Sequence, residues 1–199
     1  MRLQSLALLP VLVLVACTVD TTGLSSESNR GPHPQSSPNA AVVITEYSDL
    51  QCPACRTSHN LVTKPLLEQY GSRIRFEFHQ FPLSSIHPMA MPAAEASECA
   101  ADQGKFWEFV DLAYEKQDQL SDAALDEWGQ SLGLDVELYK RCRASHIKRE
   151  TIQAEYDEGR DAGIGGTPTY LVNGQMVPAT IEDLGQAIEE ATAGTMQRL

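Results

Sequence analysis

The feature that most constrains this chain is a junction. An apolar, β-branched run, Ala41-Val42-Val43-Ile44-Thr45-Glu46-Tyr47, is followed after four residues by Cys52-Pro53-Ala54-Cys55. The run reads as a buried strand by composition and length. Proline is tolerated just inside a helix start, because the N–H it lacks would have no intrahelical partner there. Pro53 therefore marks the start of a helix continuing through Leu61, Leu66 and Leu67, with Cys52 at its N-terminal edge. Gly71-Ser72 closes that helix, and Ile74-Arg75-Phe76-Glu77-Phe78-His79 alternates as a second strand. The order strand, cysteine pair, helix, strand is a βαβ unit with a parallel pair.

That placement has a chemical consequence. A helix N-terminus presents unpaired N–H groups and a partial positive charge, which stabilise an anion. Lowering a free thiol from about 8.5 to about 7 corresponds to roughly 2 kcal/mol of preference for the thiolate. Cys52 is the expected nucleophile. Cys55, one turn deeper, is placed to attack a mixed disulfide on Cys52.

From Pro88 to about Asp161 the pattern is helical: Met89 to Ala101, Phe106 to Gln117, Asp122 to Leu132, Val136 to Ser145 and Lys148 to Asp161, separated by breakers such as Gly104 and Gly133. This block, about 88–163, reads as helices inserted between two halves of a sheet. Thr169-Tyr170-Leu171-Val172 and Gln175-Met176-Val177 then flank Asn173-Gly174, a strong hairpin signal. A last helix, Ile181 to Ala193, carries Ile181, Leu184, Ala187 and Ile188 on one face and should pack on the sheet.

The chain begins Met1-Arg2, runs through apolar residues from Leu6 to Val15, and reaches Leu14-Val15-Ala16-Cys17. This reads as an export signal, 1–16, whose apolar core is shorter than the roughly 20 residues of a spanning helix. Residues 17–39 are rich in Ser, Thr, Gly, Pro and Asn, and composition predicts a flexible tether. The remainder, 40–199, is long enough for one domain with its own core. A formal net charge of −12 argues against nucleic acid and against electrostatic docking on anionic lipid.

Five cysteines is an odd number, and Cys17 at the cleavage site accounts for the odd one. A CxxC can also bind zinc, but zinc takes four ligands, and no second CxxC or HxxxH is present. Pooling Cys52, Cys55, Cys99 and Cys142 in one zinc site is the remaining metal alternative; the expectation is no metal and no cofactor beyond a redox-active Cys52–Cys55 disulfide.

Several stretches together resemble the DsbA-like branch of the thioredoxin superfamily, over about Ala41 to Ala193. They are Glu46 to Cys55, Phe81-Pro82-Leu83, Cys99-Ala100-Ala101-Asp102-Gln103-Gly104-Lys105-Phe106-Trp107, and Gly165-Gly166-Thr167-Pro168-Thr169-Tyr170. The resemblance implies an α/β, thioredoxin-like fold with an inserted helical subdomain and a thiol-disulfide oxidoreductase activity. It implies that the Thr167–Pro168 bond is cis and lies beside the CxxC, leaving neighbouring backbone free to bind a client as an added strand. Glu46 matches a buried acid beneath the resolving cysteine, where desolvation would raise its pKa and suit it to proton transfer with Cys55. Cys99 and Cys142 resemble a cysteine pair of part of this branch, which implies a structural disulfide. Strongly oxidising relatives carry histidine between the cysteines where this chain has Ala54, which points to a less oxidising pair. His59 is read as an exposed helix residue and His87 as a turn residue. The N-terminus is similar to a bacterial lipoprotein precursor, which makes Cys17 the lipidated first residue and a lipid the membrane anchor.

The expected function is thiol-disulfide exchange with exported proteins on the extracytoplasmic face of the cell envelope, most simply as a dithiol oxidase re-oxidised by a recycling partner. Isomerase or reductase direction stays open, because direction depends on reduction potential relative to partners. A dithiol module for copper or respiratory cofactor-site assembly is the alternative of a different class, although Met-rich and His-rich tracts are absent.

Overall fold

The computed structural model describes residues 19–196, so the signal segment and Cys17 lie outside the described residues. Its elements are β1 (Val42–Ser48), α1 (Pro53–Ser58), α2 (Lys64–Tyr70), β2 (Ile74–Gln80), α3 (Ala90–Ala101), α4 (Phe106–Glu115), α5 (Asp122–Ser131), α6 (Val136–Ser145), α7 (Arg149–Asp161), β3 (Thr169–Val172), β4 (Gln175–Val177) and α8 (Ile181–Met196). The sheet runs β2-β1-β3-β4, with β1 parallel to β2 and antiparallel to β3, and β3 antiparallel to β4. This is the thioredoxin-like α/β architecture, with α3 to α7 between its two halves.

Alternation along the strands gives the sheet two buried faces. Val42 and Ile44 of β1, Phe76 and Phe78 of β2, and Tyr170 and Val172 of β3 enter the main core with α2, α4 and α8. Tyr47, Phe81, Ile164 and Leu171 form a smaller cluster on the opposite face. Helix α7 reaches that cluster closely: a Cβ on Gly159 would lie 2.8 Å from the Tyr47 ring and 2.9 Å from the Phe81 ring, so glycine is required for the approach. The β3–β4 turn places Asn173 and Gly174 at positive φ, the conformation its residue types favour.

Two expectations are corrected. The helix after Cys52 is not continuous α-helix: His59–Thr63 form a π-helical turn between α1 and α2, closed by the Lys64 N–H donating to the His59 carbonyl. Pro65 gives the reason. It has no N–H to donate and its ring crowds the carbonyl four residues earlier, so the ladder widens there. The second correction concerns residues 19–39, which do not behave as a free tether. Arg30 is largely buried, pairs with Glu98 at 2.9 Å and with Glu155, and stacks over Phe106. The Lys148 ammonium, fully buried, donates to the Glu27 carbonyl and to Asp102, and the His33 ring packs edge-on against Trp107. A segment poor in apolar residues is held instead by charged pairs whose partners lie in α3, α7 and the turns beside them.

Candidate active site

The geometry starts at the strand-to-helix junction. Cys52 has extended backbone (φ −73, ψ 120) and occupies the N-cap, with Pro53 in the first turn. Its carbonyl accepts the Arg56 N–H at 3.1 Å, closing that turn, while its own N–H donates to the Asp49 carbonyl at 3.0 Å. Three outside groups hold the junction. The buried Asp49 carboxylate accepts from the N–H groups of Gln51 and Leu83 and pairs with His87 Nδ1 at 2.7 Å. Gln51 accepts from the Met89 N–H. The Gln117 amide donates to the carbonyls of Leu50 (2.9 Å) and Cys52 (3.0 Å), so the turn after α4 fixes the redox loop directly.

The Thr167–Pro168 peptide bond is cis. It lies against the cysteines: the Cys52 thiol donates to the Thr167 carbonyl at 3.6 Å. Ala54, Thr57, Leu61, Val62, Pro168 and Ala179 border an open apolar recess beside them, in which Leu61 stands out into solvent.

Both thiols are free, and their environments drive them apart. The Cys52 thiol is lowered to about 5, first by a hydrogen bond from the Cys55 thiol, then by the backbone N–H groups of Cys55 and Ala54 and by Thr167, against the opposing effect of burial. Cys55 is wholly buried, and desolvation pushes its thiol far above the ordinary range, with the neighbouring Cys52 adding to the rise. One sulfur is thus a ready nucleophile and the other holds its proton.

Glu46 lies fully buried on β1, and burial raises its carboxyl above the usual range. Its oxygens are not bare: Ser48 donates to one at 2.9 Å and Thr63 to the other at 2.9 Å. Ser48 also bonds the Tyr114 hydroxyl (2.8 Å), Thr63 bonds the Tyr170 hydroxyl (2.7 Å), and Ser58 bonds the Tyr170 hydroxyl as well (2.9 Å). Burial also raises both tyrosines. Two hydroxyls thus donate to the buried acid, and three more are linked to them by hydrogen bonds.

His59, expected on the surface, is buried: its ring lies against Tyr114 with centroids 4.8 Å apart, and its Nε2 pairs with Asp111 at 2.7 Å. It lies four residues after Cys55, on the same buried face of the helix. His87 is a turn residue as expected, tied to Asp49. Cys99 and Cys142 form a disulfide that joins α3 to α6, which takes two sulfurs away from any four-cysteine zinc site. Of the groups sequence reasoning passed over, Ser48 was within reach, two residues from Glu46 on the same strand face. Tyr114 and Gln117 come from distant helices and carry no local signal.

Residues 28–190 match the family described as thioredoxin. Among curated proteins, the chain is 36% identical over 171 residues to the Na(+)/H(+) antiporter NhaA 3 of Salinispora tropica, covering 85% of this chain and 25% of that protein. It is 34% identical over 140 residues to the Na(+)/H(+) antiporter NhaA 1 of Mycolicibacterium vanbaalenii, covering 68% and 22%. The chain therefore spans about a quarter of the length of the curated relatives it matches. No helix among the described residues is long and apolar enough to cross a membrane. Among solved structures, oxidised BdbD of Bacillus subtilis superposes with TM-score 0.69 at 21% identity, over 82% of this chain and 96% of that one. Wolbachia pipientis α-DsbA1 gives 0.72 at 17% identity, over 82% and 92%. A thioredoxin-like oxidoreductase of Silicibacter pomeroyi gives 0.68 at 22%, over 81% and 94%.

Proposed function

The chain belongs to the thioredoxin family, with the fold of its DsbA-like structures, and we propose that this thiol-disulfide oxidoreductase acts as a dithiol oxidase on exported proteins. The observation that carries the reading is the opposed displacement of the two thiols at one helix start beside a cis-proline: Cys52 lowered to about 5 and Cys55 raised. A low-pKa Cys52 is a good leaving group as well as a good nucleophile. A client thiolate opens the Cys52–Cys55 disulfide by attacking Cys52 and expelling Cys55, which takes up a proton, and the low pKa of Cys52 favours its own departure in the next step. The client's second thiolate then releases it from the mixed disulfide, leaving the client oxidised and the pair reduced. An envelope redox partner restores the disulfide. The backbone beside Pro168 and the recess at Leu61 offer an extended client a place to lie.

In the same reading Glu46 exchanges the proton of Cys55, and Cys17 carries the lipid that holds the domain on the extracytoplasmic face. The Cys99–Cys142 bond is structural. Ala54, where strongly oxidising relatives carry histidine, favours a milder oxidant.

The test is oxidation of a reduced, unfolded protein substrate by the oxidised chain, with the equilibrium potential of Cys52/Cys55 measured against glutathione. Stoichiometric oxidation of substrate, abolished by Cys52→Ser, is expected. A strongly reducing potential without oxidase activity would replace the oxidase reading with a reductase one.

A further inference from the structure

The hydrogen bonds of the buried Glu46 carboxyl go to hydroxyl groups. Glu46 accepts from Ser48 and Thr63, and Ser48 is also a hydrogen-bonding partner of the Cys55 thiol. Ser48 is fully buried at the C-terminal end of β1. Its oxygen is held from the far side by the Tyr114 hydroxyl at 2.8 Å, and its proton is directed at Glu46 Oε1 at 2.9 Å. A hydroxyl has one proton to donate and two lone pairs to accept with. Donating to Glu46, Ser48 can accept from Tyr114 and from the Cys55 thiol together. This is the arrangement of a two-proton relay.

We propose that Ser48 is a catalytic proton relay between Cys55 and Glu46, oriented by Tyr114. The proposal rests on the reading of Glu46 as the acid–base partner of Cys55. When Cys55 attacks a mixed disulfide on Cys52, the Cys55 thiol passes its proton to Ser48 Oγ while Ser48 passes its own to the Glu46 carboxylate. The Cys55 sulfur then bonds the Cys52 sulfur, the bond between Cys52 and the foreign sulfur breaks, and the foreign group leaves as a thiolate. The electron pair of the broken bond departs with that thiolate, so no further oxidant or reductant enters. In the opposite direction Glu46 returns the proton through Ser48 as Cys55 becomes the leaving group. The titratable groups that act on Glu46 include His59 from the π turn, Tyr114 from α4 and Tyr170 from β3, and Ser48 is the side chain that hydrogen-bonds both Glu46 and the Cys55 thiol.

The test follows the reaction of the reduced protein with oxidised glutathione by rapid quench, which separates glutathionylation of Cys52 from its resolution by Cys55. Ser48→Ala is expected to slow resolution at neutral pH by about 100-fold, the lower end of general acid–base effects. The rate should then rise with hydroxide instead of levelling off, while glutathionylation of Cys52 is unchanged and Ser48→Thr restores most of the loss. Resolution at the wild-type rate and pH profile in Ser48→Ala overturns the relay. The paired variant Glu46→Gln separates the two claims. A slowed Glu46→Gln beside a normal Ser48→Ala removes the relay alone, whereas a normal Glu46→Gln removes the acid–base role on which it rests. The unmodified protein supplies a readout independent of folding. Two protons moving together give a bowed dependence of the resolution rate on deuterium fraction, and a straight line contradicts the proposal.

Discussion

The site is built on a contrast between two residues three positions apart. Cys52 sits where the helix begins and its thiol is lowered to about 5, while Cys55 is buried and held protonated. The stability of the reduced protein must then depend on pH. In the unfolded chain both thiols titrate at about 8.5. Because the folded Cys52 binds its proton more weakly, its contribution is absent below about pH 5, grows as pH rises above that value, and is complete near the unfolded thiol pKa, where Cys55 begins to oppose it. The oxidised protein has no thiolate to titrate. Denaturant melts of both redox states between pH 5 and 8 should show the reduced form gaining on the oxidised form, and Cys52→Ser should abolish the gain. The placement of Cys52 at a helix start, the burial of Cys55 and Glu46 and the cis bond at Pro168 were legible in the sequence. The hydroxyls of Tyr114 and Tyr170 and the amide of Gln117 were not, because nothing local marks a side chain whose role is to meet a group 65 or more residues away.

At the scale of elements, the strands and their hairpin followed from β-branched alternation and Asn173-Gly174, and the inserted helices from breakers at Gly104 and Gly133. What periodicity could not see was the π turn at His59–Thr63, since apolar spacing averages over a single widened turn. His59, four residues after Cys55, falls on the buried face by ordinary helical spacing. Helices α3 and α6 are joined by Cys99–Cys142, which closes a separation of 43 residues. In the chain-entropy account a loop of that size contributes up to about 4 kcal/mol. The double variant Cys99→Ala/Cys142→Ala should lower unfolding free energy by about 2–4 kcal/mol, measured by denaturant titration, while Cys52 keeps its reactivity. Loss of Cys52 reactivity in a folded double variant would show that the bond belongs to the redox path instead.

The whole molecule differs from its sequence-level outline chiefly at the N-terminal segment. Composition described a tether, whereas residues from Asp20 to Pro38 lie along the helical insertion and the β2 edge through Arg141, Lys148, Thr151, Glu98 and the Ile74 carbonyl. Most of these contacts are polar and join scattered partners, so no apolar periodicity announces them. Arg30 shows what holds it: a nearly buried guanidinium between two carboxylates is hard to release, because freeing it strands the buried Glu98. The turn after α4 brings Gln117, and the loop before β3 the cis-proline, to one helix start, and this placement activates Cys52. Absorbance of the thiolate at about 240 nm, followed through a pH titration of the reduced protein, tests it most directly. A single transition near pH 5 that disappears in Cys52→Ser is predicted, and a first transition at the ordinary thiol pKa, about 8.5, would contradict it.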